Sequence, residues 1–324
     1  MNKEQVGRGS ILGALVGDAA GATLEFISGT PTRSQVKQAL AMVGGGTWRT
    51  APGQITDDGE MALSLMHALV GEDAFSIERV AQSYLQWYQS LPFDIGRTTS
   101  TGLSGGLRQP KGLIHRGMWK AAEQHNMGSK ANGGLMRIAP LGVWGWRLSE
   151  EELVHVVCQD NLLTHPNPTC QYSSAVYCIA IRHLMLHPKD NIGAFQVAVE
   201  WAEALRNREI QGWLASADRN QDVGYSPSIG FVKYGFTHAF RHLKNGTSYL
   251  DAIFETLMGG GDTDTNACIV GGLVGAYHGE KGIPRPMRDA ILNCDTSKGR
   301  QRPGFLQTCQ QLPALLDRLI SQAR

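Results

Sequence analysis

Gly259-Gly-Gly-Asp-Thr-Asp-Thr-Asn-Ala-Cys-Ile-Val-Gly-Gly-Leu-Val-Gly-Ala-Tyr-His-Gly279 decides the architecture. A glycine-rich turn comes first and holds two carboxylates, Asp262 and Asp264, alternating with Thr263 and Thr265. Alternating acids in a tight turn aim oxygen ligands at one point, which suits a hard divalent cation such as Mg²⁺. An apolar helix follows, expected to begin near Thr265. Gly271, Gly275 and Gly279 recur at every fourth position and so share one face. Glycine costs about 1 kcal/mol in a helix relative to alanine, so a stripe of it implies another backbone packed very close.

The partner for that stripe lies at the other end of the chain. Ser10-Ile-Leu-Gly-Ala-Leu-Val-Gly-Asp-Ala-Ala-Gly-Ala-Thr-Leu-Glu-Phe26 places Gly13, Gly17 and Gly21 at the same spacing. Two helices crossing tightly at the centre of the protein are expected. Read as one helix to Phe26, the segment puts Asp18 and Glu25 on one side. Glu25, at its C-terminal end, is then within reach of the Asp262/Asp264 turn. Carboxylates on such buried helices need a purpose, because an unpaired buried charge is costly.

Working outward, Thr56, Asp57 and Asp58 open a helix whose stripe is Met61, Ala62, Leu65, Met66 and Leu69. One side chain suffices to cap a helix, so two adjacent aspartates and a threonine point to metal ligation instead. Ile77 to Tyr88 reads as amphipathic, and Pro92 to Gly106 as loop-like at both ends. Asp94 in that loop has a plain reading as a local cap. Asn132-Gly133-Gly134 forms a turn whose N–H groups suit a phosphate. Thr164-His-Pro-Asn-Pro168 is a rigid turn with Asn167 as N-cap and Pro168 at the first helical position. It leaves His165 between helices, either on the surface or in a site. Asn207 to Ser228 reads as irregular, followed by helices over Phe231–Leu243 and Ser248–Met258. No segment alternates convincingly as a strand, so an all-α chain is expected, and its length allows one large domain or two.

The chain has 324 residues and a formal net charge of +1 with no charge block. That argues against nucleic acid or a membrane surface as the main partner. No apolar run is long enough to span a bilayer, and the N-terminus lacks a signal-peptide layout. The six cysteines form no CxxC pair and read as reduced thiols in a cytoplasmic protein. His183/His187 and His238/His242 have i,i+4 spacing but no third ligand in order, so no zinc site is expected. Glu25, Asp57, Asp58, Asp262 and Asp264 would bring five negative charges together. Two divalent cations would nearly balance them, about 4 Å apart, able to grip a polyol or activate a water.

The chain resembles the ADP-ribosylglycohydrolases of the dinitrogenase-reductase-activating type. The motifs are Gly13-Ala-Leu-Val-Gly-Asp-Ala-Ala-Gly21 with Glu25, Thr56-Asp-Asp58, Asp94-Ile-Gly96, Asn132-Gly-Gly-Leu-Met-Arg137, Thr164-His-Pro166 and Gly260-Gly-Asp-Thr-Asp-Thr265. They occur in the family's order over nearly the whole chain. The resemblance implies an all-α single domain over 1–324 with two Mg²⁺ (or Mn²⁺) ions held by Thr56, Asp57, Asp58, Asp262, Asp264 and Thr265. It makes Glu25 and Asp94 the candidate catalytic carboxylates. Asn132, Gly133, Gly134 and His165 would hold phosphates and ribose, with Phe231 or Tyr225 stacking on adenine. The implied activity is removal of ADP-ribose from a modified protein, with arginine as the expected linkage. An ADP-ribosyltransferase toxin is a conceivable partner if the role is immunity. A serine-linked substrate, a non-catalytic ADP-ribose binder, a toxin-blocking protein and a crystallin-like structural relative are the other readings. Gly59 and Arg97 stand where the family commonly has Thr and Asn.

Overall fold

A computed structural model describes residues 1–321 and places the two glycine-striped segments as a crossed helix pair at the centre. In chain order the helices are α1 (Lys3–Gly21), α2 (Arg33–Leu40), α3 (Asp57–Leu69), α4 (Ile77–Gln89), α5 (Arg97–Ser104), α6 (Ile114–Asn126), α7 (Ala139–Trp144) and α8 (Glu150–Leu162). They continue as α9 (Pro168–Leu186), α10 (Asn191–Ala204), α11 (Arg208–Asp218), α12 (Lys233–Lys244), α13 (Tyr249–Gly259), α14 (Thr263–His278), α15 (Arg285–Leu292) and α16 (Thr308–Ser321). No strand forms among the described residues, where Gly45 with Thr50 and Ala131 with Phe231 make isolated bridges. The fold is all-α.

The crossing of α1 and α14 is a contact of backbone on backbone. A methyl group on Gly13 would sit 2.2 Å from the Gly271 carbonyl oxygen, and one on Gly17 would sit 2.0 Å from that of Ala267. Gly9 extends the stripe against Gly275 at 2.3 Å, and Gly21 closes it against the Asp264 backbone. Two buried tyrosines secure the pair by donating to main-chain carbonyls, Tyr249 to Gly13 and Tyr177 to Ile269, each at 2.7 Å. Around this axis α12, α13 and α9 pack on α14, while α3, α7, α15 and α16 pack on α1. One contiguous apolar core results, running from Val6 to Ile320.

Several expectations need correction. Helix α1 ends at Gly21, not Phe26, and residues 22–26 form a turn. Glu25 therefore reaches the site from that turn rather than from a helix face. Two segments, one read as loop-like at its ends and one as irregular, each contain a helix. In α5, Gly102 packs so closely on the Leu163 carbonyl that a methyl group would lie 2.5 Å away. In α11, the Asn207 side chain accepts from the N–H groups of Glu209 and Ile210 and so starts the helix. No helix among the described residues is long and apolar enough to cross a membrane. All six cysteines are free.

Candidate metal centre and ligand cavity

The N-terminus of α3 is capped from another helix. Thr56 stands at the N-cap position but makes no side-chain cap bond. Asp18 of α1 does the work: its carboxylate accepts from the Thr56 N–H at 3.1 Å, the Gly59 N–H at 2.9 Å and the Thr56 hydroxyl at 2.7 Å. This leaves Asp57 and Asp58 free of capping duty. It also explains Gly59, where a Cβ would lie 2.7 Å from Asp18 Oδ2.

Two groups of carboxylates follow from this docking. Asp18, Asp58 and Asp264 each offer an oxygen within 4.8 Å of the others, and so do Glu25, Asp262 and Asp264. Asp264, at the start of α14, belongs to both. The Asp58 Oδ1 atom is buried without a hydrogen-bond partner. An orphaned carboxylate oxygen among other carboxylates is the environment a divalent cation relieves, so the donor set fits the implied metal. Sequence reasoning left Asp18 out of the ligand set. Its signal was an acid set beside Gly17 in the close-packed stripe. Asp57 lies outside both three-acid groups and lines the cavity instead. Thr56 is fully buried beneath it, and the Thr265 hydroxyl donates to Asp58 Oδ2 at 3.4 Å.

Electrostatics point the same way. Burial, with Asp94 as the leading charge, pushes Asp57 well above the usual carboxylate range. Burial also raises Asp58 and Asp264, with Asp57 and Glu25 as the respective leading charges. Glu25 is pushed up to about 8, first by burial and then by Asp94, although the Trp48 indole donates to it at 2.5 Å. Burial raises Asp18 to about 7 and Asp94 to about 6. The leading charges on Asp57, Asp58 and Asp264 are all carboxylates. Without a counter-cation the cluster keeps protons it would otherwise lose.

A cavity of about 270 Å³ opens above the acids. Glu25, Asp57, Asp94, Asp262, Asp264 and Thr265 line it together with Asn132, Gly133, His165 and Gly230. Asn132 donates to Asp262 Oδ2 at 2.8 Å. Arg302 braces the segment that carries Asp94: its buried guanidinium bonds Glu60 at 2.7 Å and donates to the Ser90 and Leu91 carbonyls. Phe26 stands at the mouth, 64% exposed, with a left-handed φ of +58° that a bulky residue seldom adopts. A larger cleft of about 710 Å³, lined by Ile192, Phe195 and Leu214 among others, contains none of these carboxylates.

Not every expected residue faces the cavity. Gly134 backs onto Asn161, whose Oδ1 would lie 2.2 Å from an added Cβ. Phe231 is outside the wall, its ring edge-on to Trp213 and Tyr234. Tyr225 is buried, stacked on His238 at 4.4 Å and pressed on Gly259. It anchors the loop before Gly230 and has no free face for a base. His165 is only 1% exposed, which settles against a surface histidine. Arg97, Thr99 and Met136 line the cavity without having been singled out for it.

Fold and site together describe an all-α protein built around a buried carboxylate cluster and its cavity. The family model for ADP-ribosylglycohydrolase matches residues 2–323, and the chain belongs to that family. It is 32% identical over 316 residues to a mimivirus protein named as an ADP-ribosyl glycohydrolase, covering 91% of this chain and 93% of that one. It is 28% identical over 282 residues to the ADP-ribosyl-[dinitrogen reductase] glycohydrolase of Rhodospirillum rubrum, covering 85% and 86%. An ADP-ribosylarginine hydrolase of Pseudomonas putida is 30% identical over 286 residues, covering 86% of this chain and 71% of the relative. The solved ADP-ribosylglycohydrolase-related protein complex superposes with a TM-score of 0.74 at 22% identity, over 100% of this chain and 99% of that one. The last comparison speaks for the fold.

Proposed function

We propose that the protein hydrolyses the N-glycosidic bond between ADP-ribose and arginine in a modified protein. The observation that carries the reading is the convergence of six oxygen-bearing side chains with Asn132, Gly133 and His165 on one small cavity. Asp18, Asp58, Asp262, Asp264 and Glu25 would hold two divalent cations, Mg²⁺ or Mn²⁺, with Asp57, Thr56 and Thr265 beside them. Such cations supply counter-charge to the acids and polarise hydroxyls of the distal ribose. Asn132 and His165 orient the nucleotide. Asp94, at the cavity edge outside both three-acid groups, takes a proton from water as its oxygen adds to the anomeric carbon. The carbon–nitrogen bond breaks and the proton passes to the departing guanidine.

Arginine is favoured over a hydroxyl linkage by the mouth of the site. The exposed Phe26 ring and the carboxylates of Glu25 and Asp94 suit a cationic leaving group. The similarity to an ADP-ribosylarginine hydrolase supports the same choice. The natural substrate would be a cytoplasmic protein mono-ADP-ribosylated by a regulatory or toxin transferase. The test is release of ADP-ribose from arginine-, serine- and aspartate-linked proteins, with and without Mg²⁺. Release from the arginine-linked protein alone, and only with metal, is expected. Release from the serine-linked protein instead would reassign the linkage. ADP-ribose binding with no release from any substrate would make the protein a binder.

A further inference from the structure

His165 reaches the cavity through a chain of hydrogen bonds whose donors can be assigned by elimination. Arg137 is fully buried, and its Nε and Nη2 atoms donate to Asp160 Oδ2 at 3.1 and 3.0 Å. Its guanidinium also lies 4.6 Å from the centre of the Tyr84 ring, and the Tyr84 hydroxyl donates to the other Asp160 oxygen. The remaining nitrogen, Nη1, is 2.9 Å from Thr164 Oγ1. Guanidinium is a donor and never an acceptor, so Thr164 Oγ1 accepts there. The same hydroxyl is 2.8 Å from His165 Nδ1. Its proton has that nitrogen as its acceptor. A proton on Nδ1 instead would leave the buried threonine hydroxyl with no bond to donate into.

The other imidazole nitrogen is the informative one. His165 Nε2 is buried, has no partner in the protein, and borders the cavity beside Gly133. Gly133 lacks the side chain that would cover it: a Cβ there would lie 3.1 Å from Nε2. Burial first, and then the Arg137 charge, push His165 down to about 3, so the ring stays neutral.

We infer that Arg137 and Thr164 are positioning residues that fix His165 as the neutral Nε2–H tautomer, aimed at an acceptor oxygen of the ligand. The inference rests on the reading that this cavity takes ADP-ribose. A ring in the other tautomer would present a lone pair to an oxygen-rich ligand and repel it. The relay therefore gives the cavity wall a fixed polarity, set by a guanidinium that never touches the ligand.

The test uses the whole protein labelled with ¹⁵N-histidine. Two-bond proton–nitrogen correlations report the tautomer of each ring, and His165→Asn identifies the signal. A single Nε2–H tautomer is expected in the ligand-free wild type. Thr164→Val should shift it toward Nδ1–H and weaken ADP-ribose binding by calorimetry roughly three- to tenfold. Thr164→Ser keeps the hydroxyl and should keep both. An Nδ1–H ring in the wild type overturns the inference, as does wild-type affinity in a Thr164→Val protein. If Thr164→Val does not fold, the wild-type tautomer decides alone. Failure of the wild type to bind ADP-ribose would remove the ligand reading while leaving the tautomer result intact.

Discussion

Replacing Gly17 by alanine adds one methyl group at the tightest point of the α1–α14 crossing. Its carbon would lie 2.0 Å from the Ala267 carbonyl oxygen, 2.4 Å from the carbonyl carbon and 2.9 Å from the Cys268 nitrogen. All three are backbone atoms, so no rotamer change relieves them. Restoring even a tight 3.0 Å separation requires the helices to part by about 1 Å. Overpacking of this kind costs about 1–3 kcal/mol, toward the upper end when only backbone can give. Alanine returns about 1 kcal/mol in helix propensity, leaving a net loss of about 2 kcal/mol. In a chain of 324 residues that lowers the melting temperature by about 3 °C. Asp264 and Thr265 move with α14, and a misplacement of about 1 Å can cost about 10²-fold in turnover. Gly7→Ala is the control, with the same propensity gain. Its nearest neighbours are the side chains of Val143 at 3.1 Å and Ile320 at 3.2 Å, which can turn aside. Thermal melts in Mg²⁺ and ADP-ribose release on both variants measure the contrast. A Gly17→Ala protein as stable and active as wild type would refute the backbone-contact argument, and so would an equal loss in Gly7→Ala.

Asp264→Asn, shared by both carboxylate groups, should abolish release and also the rise in melting temperature on adding Mg²⁺. In the wild type that rise corresponds to about 2.7 kcal/mol at a hundredfold excess over Kd, and identical melts in Mg²⁺ and EDTA would discard the metal site. Asp94→Asn should keep ADP-ribose binding by calorimetry while single-turnover release falls by at least about 10²-fold; near-wild-type release would return Asp94 to a loop-capping role. Without metal, stability should fall as pH rises. Glu25 at about 8 when folded against 4.5 as its ordinary value, with Asp18 at about 7 and Asp94 at about 6, means the folded state binds protons that the unfolded chain has released. The loss begins near pH 3.8, the ordinary value of the two aspartates, and runs to about pH 8, and melts in EDTA across that window should slope downward while Mg²⁺ flattens them. An upward slope in EDTA would contradict the burial of these acids.

The legible parts of the sequence were those with a short-range signature. Glycines at every fourth position announced the crossing, and acids crowded at helix starts announced the carboxylate cluster. Asp18 was harder, because its role depends on where α3 docks on α1, 38 positions away in the chain. Helix α5 was hidden by its own composition: Thr98, Thr99, Ser100, Thr101 and Gly102 are poor helix formers. It is held by tertiary contact, with Thr99 and Leu103 buried. The placement of the two candidate aromatics was hidden for a similar reason. Nothing local in the sequence tells that Tyr225 stacks on His238 or that Phe231 turns toward Trp213.

The crossing also sets a timetable for synthesis. Residues 9–21 meet residues 263–279, so the centre joins opposite ends of the polypeptide. A chain emerging from the ribosome at about 5–20 residues per second must wait roughly a quarter to most of a minute before α14 follows α1. During that interval α1 has its glycine face bare, and the Asp18 and Asp58 carboxylates lack Asp264. Neither the central contact nor the full set of acids exists in a nascent chain cut short before α14. A premature stop anywhere ahead of Gly260 would therefore leave a chain without its axis, exposed to chaperones and proteases.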